Sequence, residues 1–180
     1  MATIAITPTQ DAVTTEIFIA APPERVFQAI TDPAQAPKWW GTPGMYRTTK
    51  YQADLRPGGK WSNAGVGADG SEYHVDGEYL EVDPPRLLVH TWKASWSGDL
   101  KTTVRWELEP RDVHGLRPKG PQKEGKGTLV RVHHSGFAGH PQACQSHGDG
   151  WTRVFGWLQA YLERGETYEM RKLAAVVSDK

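Results

Sequence analysis

The chain has 180 residues, with 21 Lys or Arg balanced by 21 Asp or Glu, so no net field draws it to nucleic acid or to an anionic membrane. That length predicts one domain with a substantial core. Cys144 is the only cysteine, which excludes an internal disulfide and predicts a reducing, cytoplasmic setting.

No stretch reaches the ~20 apolar residues of a membrane span, and residues 1–10 lack the basic start and apolar run of a signal peptide. Residues 1–12 mix Thr, Pro, Gln and Asp without pattern and are expected to form a flexible lead-in. From Val13 to Ala20 the β-branched and aromatic content rises, predicting the first strand. Pro22 and Pro23 then open a short helix with Glu24 in its first turn and Val26, Phe27 and Ile30 at helical spacing. A second helical turn runs into Lys38-Trp39-Trp40-Gly41, where the spacing turns the two adjacent indoles to different sides.

Six more strands are expected near residues 46–55, 59–65, 72–82, 86–95, 100–109 and 128–135. Turn formers such as Arg56-Pro57-Gly58 and Asp83-Pro84-Pro85 join them, so they read as an antiparallel meander. Within them Leu88, His90 and Trp92 share one face, as do Val104, Trp106 and Leu108, and Val130, Val132 and His134. The Gly-, Pro- and charge-rich stretch 110–127 reads as a solvated, mobile loop. Last comes a helix from Pro141 to Arg164, with Trp151, Val154, Phe155, Leu158 and Leu162 on one stripe and Gly165 as its stop. At ~1.5 Å per residue it is about 36 Å long, enough to cross a small domain. The tail 165–180 has spacing for a further short helix that packs on the body or on a second copy.

These elements predict an α+β layout for residues 13–164. A curved, seven-stranded antiparallel sheet wraps a long C-terminal helix, with two short helices after the first strand. A sheet that curves around one helix leaves a cavity between them, lined by inward strand residues and the helix stripe.

The runs Ala20-Ala21-Pro22-Pro23-Glu24-Arg25-Val26-Phe27, Lys38-Trp39-Trp40-Gly41, Asp54-Leu55-Arg56-Pro57-Gly58-Gly59-Lys60-Trp61, Gly77-Glu78-Tyr79-Leu80-Glu81-Val82-Asp83-Pro84-Pro85-Arg86-Leu87, His134-Ser135-Gly136-Phe137 and Gly150-Trp151 occur in this order. Together they resemble the START-like (SRPBCC) superfamily, in the branch of homologues of the activator of the heat-shock protein 90 ATPase. The resemblance covers roughly residues 13–164. It implies the helix-grip fold and a hydrophobic cavity that in relatives holds lipids, aromatic polyketides or other small apolar molecules.

Eight Trp residues are many for the length. Trp39, Trp61, Trp92, Trp106, Trp151 and Phe155 are assigned to the cavity, with His90 and His134 as polar anchors; Trp40, Trp96 and Trp157 are assigned to the periphery. Core filling is the alternative for each aromatic, and a carbonyl-bonded structural imidazole is the alternative for His134. His140, Cys144 and His147 have spacing that could hold a soft metal, but a further ligand is missing and Gly148 and Gly150 weaken the helix, so no metal is assigned. No nucleophile elbow or phosphate-binding glycine loop is present, and no cofactor is expected.

Three functions stay open. The first is a binding module for a small apolar or aromatic molecule. The second is an enzyme resembling the superfamily's cyclases and dehydratases, and the third is a chaperone-cofactor-like or stress-response role with a protein partner or as a homodimer.

Overall fold

The structure, a computed structural model, describes residues 1–112 and 126–178. In chain order the elements are β1 (Thr3–Ile6), β2 (Ala12–Ile19), α1 (Pro23–Thr31), α2 (Ala36–Trp39), β3 (Gly41–Thr42), β4 (Tyr46–Ala53) and β5 (Lys60–Gly67). They continue with β6 (Glu72–Asp83), β7 (Leu87–Ala94), β8 (Thr102–Asp112), β9 (Lys126–Ser135), α3 (Pro141–Arg164) and α4 (Tyr168–Ser178). All strands join one antiparallel sheet in the order β1-β2-β9-β8-β7-β6-β5-β4-β3. With α3 packed against it, the arrangement is the helix-grip layout.

The described sheet has nine strands rather than the expected seven. One addition is β1, which pairs with β2 in the register Ile4↔Thr15 and Ile6↔Val13, so part of the expected flexible lead-in is a strand. Its four residues Thr3-Ile4-Ala5-Ile6 are rich in β-branched side chains, a strand signal too short to stand alone, and β1 is held by β2 and by α3. A Cβ on Gly148 of α3 would lie 2.6 Å from Ile4 Cδ1, so this helix glycine admits the close approach of β1. The other addition, β3, is a two-residue edge pairing Gly41 with Arg47 and Thr42 with Tyr46. The stretch expected as a loop at 110–127 is narrower than its composition suggested, because β8 runs to Asp112 and β9 starts at Lys126. Residues 113–125, the rest of that expectation, lie outside the described residues.

The core follows the strand alternation. Val13, Ile17 and Ile19 of β2, Val104, Trp106 and Leu108 of β8, and Val130, Val132 and His134 of β9 are buried on one face. The α3 stripe of Trp151, Val154, Phe155, Leu158 and Leu162 packs into them. Register shifts at Thr48/Lys50 and Tyr79/Glu81 interrupt the β4–β5 and β6–β7 ladders, and such bulges bend and twist a strand locally. The N-terminal helix begins as expected, with Pro23 at its first positions and Glu24 in the first turn, and buries Val26, Phe27 and Ile30. Gly165 ends α3 in the left-handed conformation at φ 67°, its N–H bonded to the Tyr161 carbonyl at 2.9 Å. The tail is helical as α4, pinned by Arg171, whose Nη2 donates to the Trp39 and Gly41 carbonyls at 2.7 and 2.8 Å.

Candidate ligand cavity

A cavity of about 320 Å³ opens between the β4–β7 part of the sheet and the first half of α3. Six aromatic rings wall it: Trp40, Tyr46, Tyr73, Trp92, Trp96 and Trp151. The sheet supplies Tyr46 from β4, Tyr73 from β6 and Trp92 from β7, the turn after β7 supplies Trp96, and α3 supplies Trp151. Edge contacts fix several of these rings, with Tyr46 and Tyr73 centroids 5.5 Å apart and Tyr73 and Trp96 6.0 Å apart. Asn63, Ser146, His147 and Arg153 bring polar atoms to the wall, and Arg153 is exposed.

Of the eight residues assigned from sequence, Trp92 and Trp151 line this cavity. The other six pack in the interior beside it. Trp39 Nε1 donates to the Ala29 carbonyl at 3.0 Å and Trp61 Nε1 to the Thr91 carbonyl at 3.1 Å, so both indoles act as struts between elements. Trp106 sits between Trp151 and Phe155, with centroids 5.2 and 5.9 Å away, and Phe155 has no exposed surface.

The two inward histidines are joined to indoles. Trp106 Nε1 donates to His90 Nε2 at 3.2 Å, which leaves His90 Nδ1 to donate to the Thr91 carbonyl at 3.1 Å. Likewise Trp151 Nε1 donates to His134 Nδ1 at 3.0 Å, so His134 Nε2 carries the proton and donates to Thr102 Oγ1 at 2.6 Å. Thr102 Oγ1 passes its own proton to the Trp92 carbonyl at 3.3 Å. An indole N–H cannot accept, so these tautomers are dictated by the network. Protonating either imidazole would break its indole bond. Burial lowers the His90 pKa to about 4, against a smaller raising effect of the Thr91 carbonyl. Burial, with the nearby His147, His90 and His133, holds His134 well below the usual histidine range.

His147 differs from both. Its Nδ1 donates to the Ala143 carbonyl one turn back on α3, at 2.8 Å, and its Nε2 is buried with no partner among the described residues. Burial again lowers its pKa. Across from it Trp92 Nε1 is also buried without a partner among the described residues. The possible metal trio does not converge. His140 stands exposed at the start of α3, Cys144 is fully buried, and His147 turns one nitrogen onto its own helix. Among the described residues no group of three His, Cys, Asp or Glu side chains is placed to hold a metal.

Sequence reasoning set Trp40 and Trp96 aside as peripheral, yet both line the cavity. Trp40 is 6% exposed and stacks on Trp39 with centroids 5.0 Å apart and planes 24° from parallel. Helical spacing would splay the pair by about 100°; Trp40 has already left the helix, at φ −82° and ψ 103°, and folds back over its neighbour. Trp96 is 58% exposed and forms part of the rim. Tyr46 and Tyr73 were also missed. The signal for Tyr73 was available, because it shares strand parity with Val75 and Tyr79, both buried.

Residues 20–116 match the family model described as Activator of Hsp90 ATPase homolog 1-like protein. Solved structures share the fold. A protein from Rhodobacter sphaeroides is 21% identical with a TM-score of 0.65, over 91% of this chain and 100% of that one. Protein Ms6760 from Mycobacterium smegmatis is 22% identical with a TM-score of 0.69, over 90% and 97%. An AHSA1-like protein from Aeromonas hydrophila is 21% identical with a TM-score of 0.62, over 84% and 93%. No curated protein matches the sequence.

Proposed function

Because the chain belongs to the family of Activator of Hsp90 ATPase homolog 1-like proteins, within the START-like superfamily, we propose that it binds a small apolar or aromatic molecule in the cavity between β4–β7 and α3. The observation that carries this reading is the cavity itself: about 320 Å³, walled by six aromatic rings and open to the surface beside Trp96. Small-molecule sites have this character, and the volume falls at the lower end of their usual range of ~300–1,000 Å³. The ligand is therefore compact. Trp92 and Trp151 form its inner wall, backed by ring contacts from Trp61, His90, Trp106, His134 and Phe155, while Trp39 stacks behind Trp40. A cytoplasmic setting goes with this reading, supported by the lone, buried Cys144; among the described residues no helix is long and apolar enough to cross a membrane.

Native mass spectrometry of freshly purified protein, followed by a fluorescence titration with small aromatic compounds, tests the proposal. A copurified molecule, or saturable quenching of tryptophan emission with a raised melting temperature, supports it. No adduct, no quenching and no thermal shift across such a set would remove it.

A second reading has one observation in its favour. Met170, Leu173, Val176 and Val177 of α4 are between 51% and 75% exposed, an apolar stripe that suits a protein partner or a second copy. Loss of a copurifying partner, or of a dimer, on changing Leu173 and Val177 to Ser would support that role. A cyclase- or dehydratase-like reaction has less support at His90 and His134, because both nitrogens of each are already spent on hydrogen bonds.

A further inference from the structure

Two of the three histidines in this region are each matched to an indole, Trp106 with His90 and Trp151 with His134. A third pair is not. Trp92 and His147 stand with ring centroids 6.1 Å apart in an edge arrangement, both line the cavity, and no hydrogen bond joins them. Their unpartnered atoms are complementary in kind. Trp92 Nε1 can only donate, and Trp92 is 8% exposed. His147 Nε2 can only accept in the neutral ring, because Nδ1 gives its proton to the Ala143 carbonyl at 2.8 Å. A buried donor and a buried acceptor left unmatched each cost free energy that a ligand can recover.

Among the oxygen groups a ligand can carry, a hydroxyl both accepts from one and donates to the other, and in doing so it takes the place that a bridging water would fill. An ether or carbonyl oxygen would serve Trp92 and leave His147 unmatched, and a carboxylate would do the same. The rest of the wall is aromatic, and about 320 Å³ holds a compact molecule. Building on the cavity reading above, we infer that the ligand is a hydroxylated aromatic compound of one or two rings, whose hydroxyl bridges Trp92 Nε1 and His147 Nε2. Both nitrogens are covered in the conformation described, so the bridge requires neighbouring wall side chains to shift off them, a common accompaniment of binding.

The test uses three probes on the full chain, measured by equilibrium dialysis: the isosteric pair 2-naphthol and 2-methylnaphthalene, and the one-atom-larger ether 2-methoxynaphthalene. Wild type is expected to bind 2-naphthol about tenfold tighter than 2-methylnaphthalene, with the ether between them. His147→Phe should bring 2-naphthol to within about threefold of 2-methylnaphthalene, and His147→Gln, which keeps a carbonyl acceptor, should restore part of the preference. Trp92→Phe should weaken both 2-naphthol and the ether while sparing 2-methylnaphthalene. If Trp92→Phe fails to fold, the half-buried His147 carries the test by itself.

Equal binding of all three probes to wild type would overturn the bridge and leave the cavity reading standing. A preference for 2-naphthol that survives both His147→Phe and Trp92→Phe would also overturn it. No binding of any probe to wild type would overturn the bridge and the cavity reading together.

Discussion

Trp151 on α3 donates its indole proton to His134 Nδ1 on β9 at 3.0 Å, and this bond ties the helix to the inner face of the sheet. The same imidazole continues through Thr102 Oγ1 to the Trp92 carbonyl, so one polar chain links α3, β9, β8 and β7 behind the cavity. Trp151→Phe keeps an aromatic ring but leaves His134 Nδ1 as a buried acceptor with no donor. The expected cost is at least about 1–3 kcal/mol in urea unfolding, beyond the smaller ring's loss of packing. A change below about 0.5 kcal/mol would mean that the bond contributes little.

Acid should weaken the fold in a definite window. Unfolded histidine titrates near 6.5, whereas burial lowers His90 to about 4 and holds His134 well below its ordinary value. Above pH 6.5 both states are neutral at these sites and they contribute no slope. Between 6.5 and about 4 the unfolded chain takes up protons that the folded chain refuses, so stability falls as pH falls. For fully buried His90 alone the loss is on the order of 3 kcal/mol. Carboxylates held down by partners, such as Glu107 bonded to Arg105, add their own loss only below about pH 4.5. Unfolding free energies at pH 7.0, 6.0 and 5.0 should therefore decline, and His90→Gln should reduce that decline; a flat profile over this range would contradict the assignment.

Arg171 is the anchor of the C-terminal helix. Its guanidinium reaches the Trp39 and Gly41 carbonyls at 2.7 and 2.8 Å, and its side chain is only 12% exposed. Arg171→Ala should release α4, seen as lost amide-exchange protection across residues 168–178 while β7–β9 keep theirs, with a cost of roughly 1.5–3 kcal/mol if unfolding stays two-state. Lys in its place cannot span both carbonyls with a planar fork and should restore little. Unchanged protection in Arg171→Ala would show that α4 docks by other contacts.

The legible part of the fold was the part written in local periodicity. Val104, Trp106 and Leu108 alternate with polar residues and are buried, and the Trp151-to-Leu162 stripe repeats at helical spacing and packs inward. What stayed hidden was owed to partners distant in sequence. Ile4 belongs to a strand because Thr15 pairs with it and Gly148 makes room for it. Trp40 belongs to the cavity because the chain leaves helical geometry one residue before it would have pointed away.

The site was legible to the same degree. Strand parity put His90 and His134 inside, but their indole partners lie 16 and 17 residues away, and no spacing rule pairs them. For His147 the local spacing offers only its distance from His140 and Cys144, a possible metal set for which no metal is assigned. Its actual bond, to Ala143, is a backbone contact that residue types do not advertise.

The account rests on a guest entering the space beside Trp92 and Trp151, and Gly150 offers direct control of that space. Gly150 lines the cavity, and a Cβ built there meets no atom within 4 Å. Gly150→Phe therefore fills the space from a helical position where losing glycine favours the helix by about 0.5–1 kcal/mol. Titrating wild type and Gly150→Phe with 2-methylnaphthalene, with tryptophan emission as the readout, should give saturable quenching in wild type and none in a variant that unfolds at the same or a higher temperature. No quenching in wild type, or equal quenching in both proteins, would contradict the cavity as the binding site.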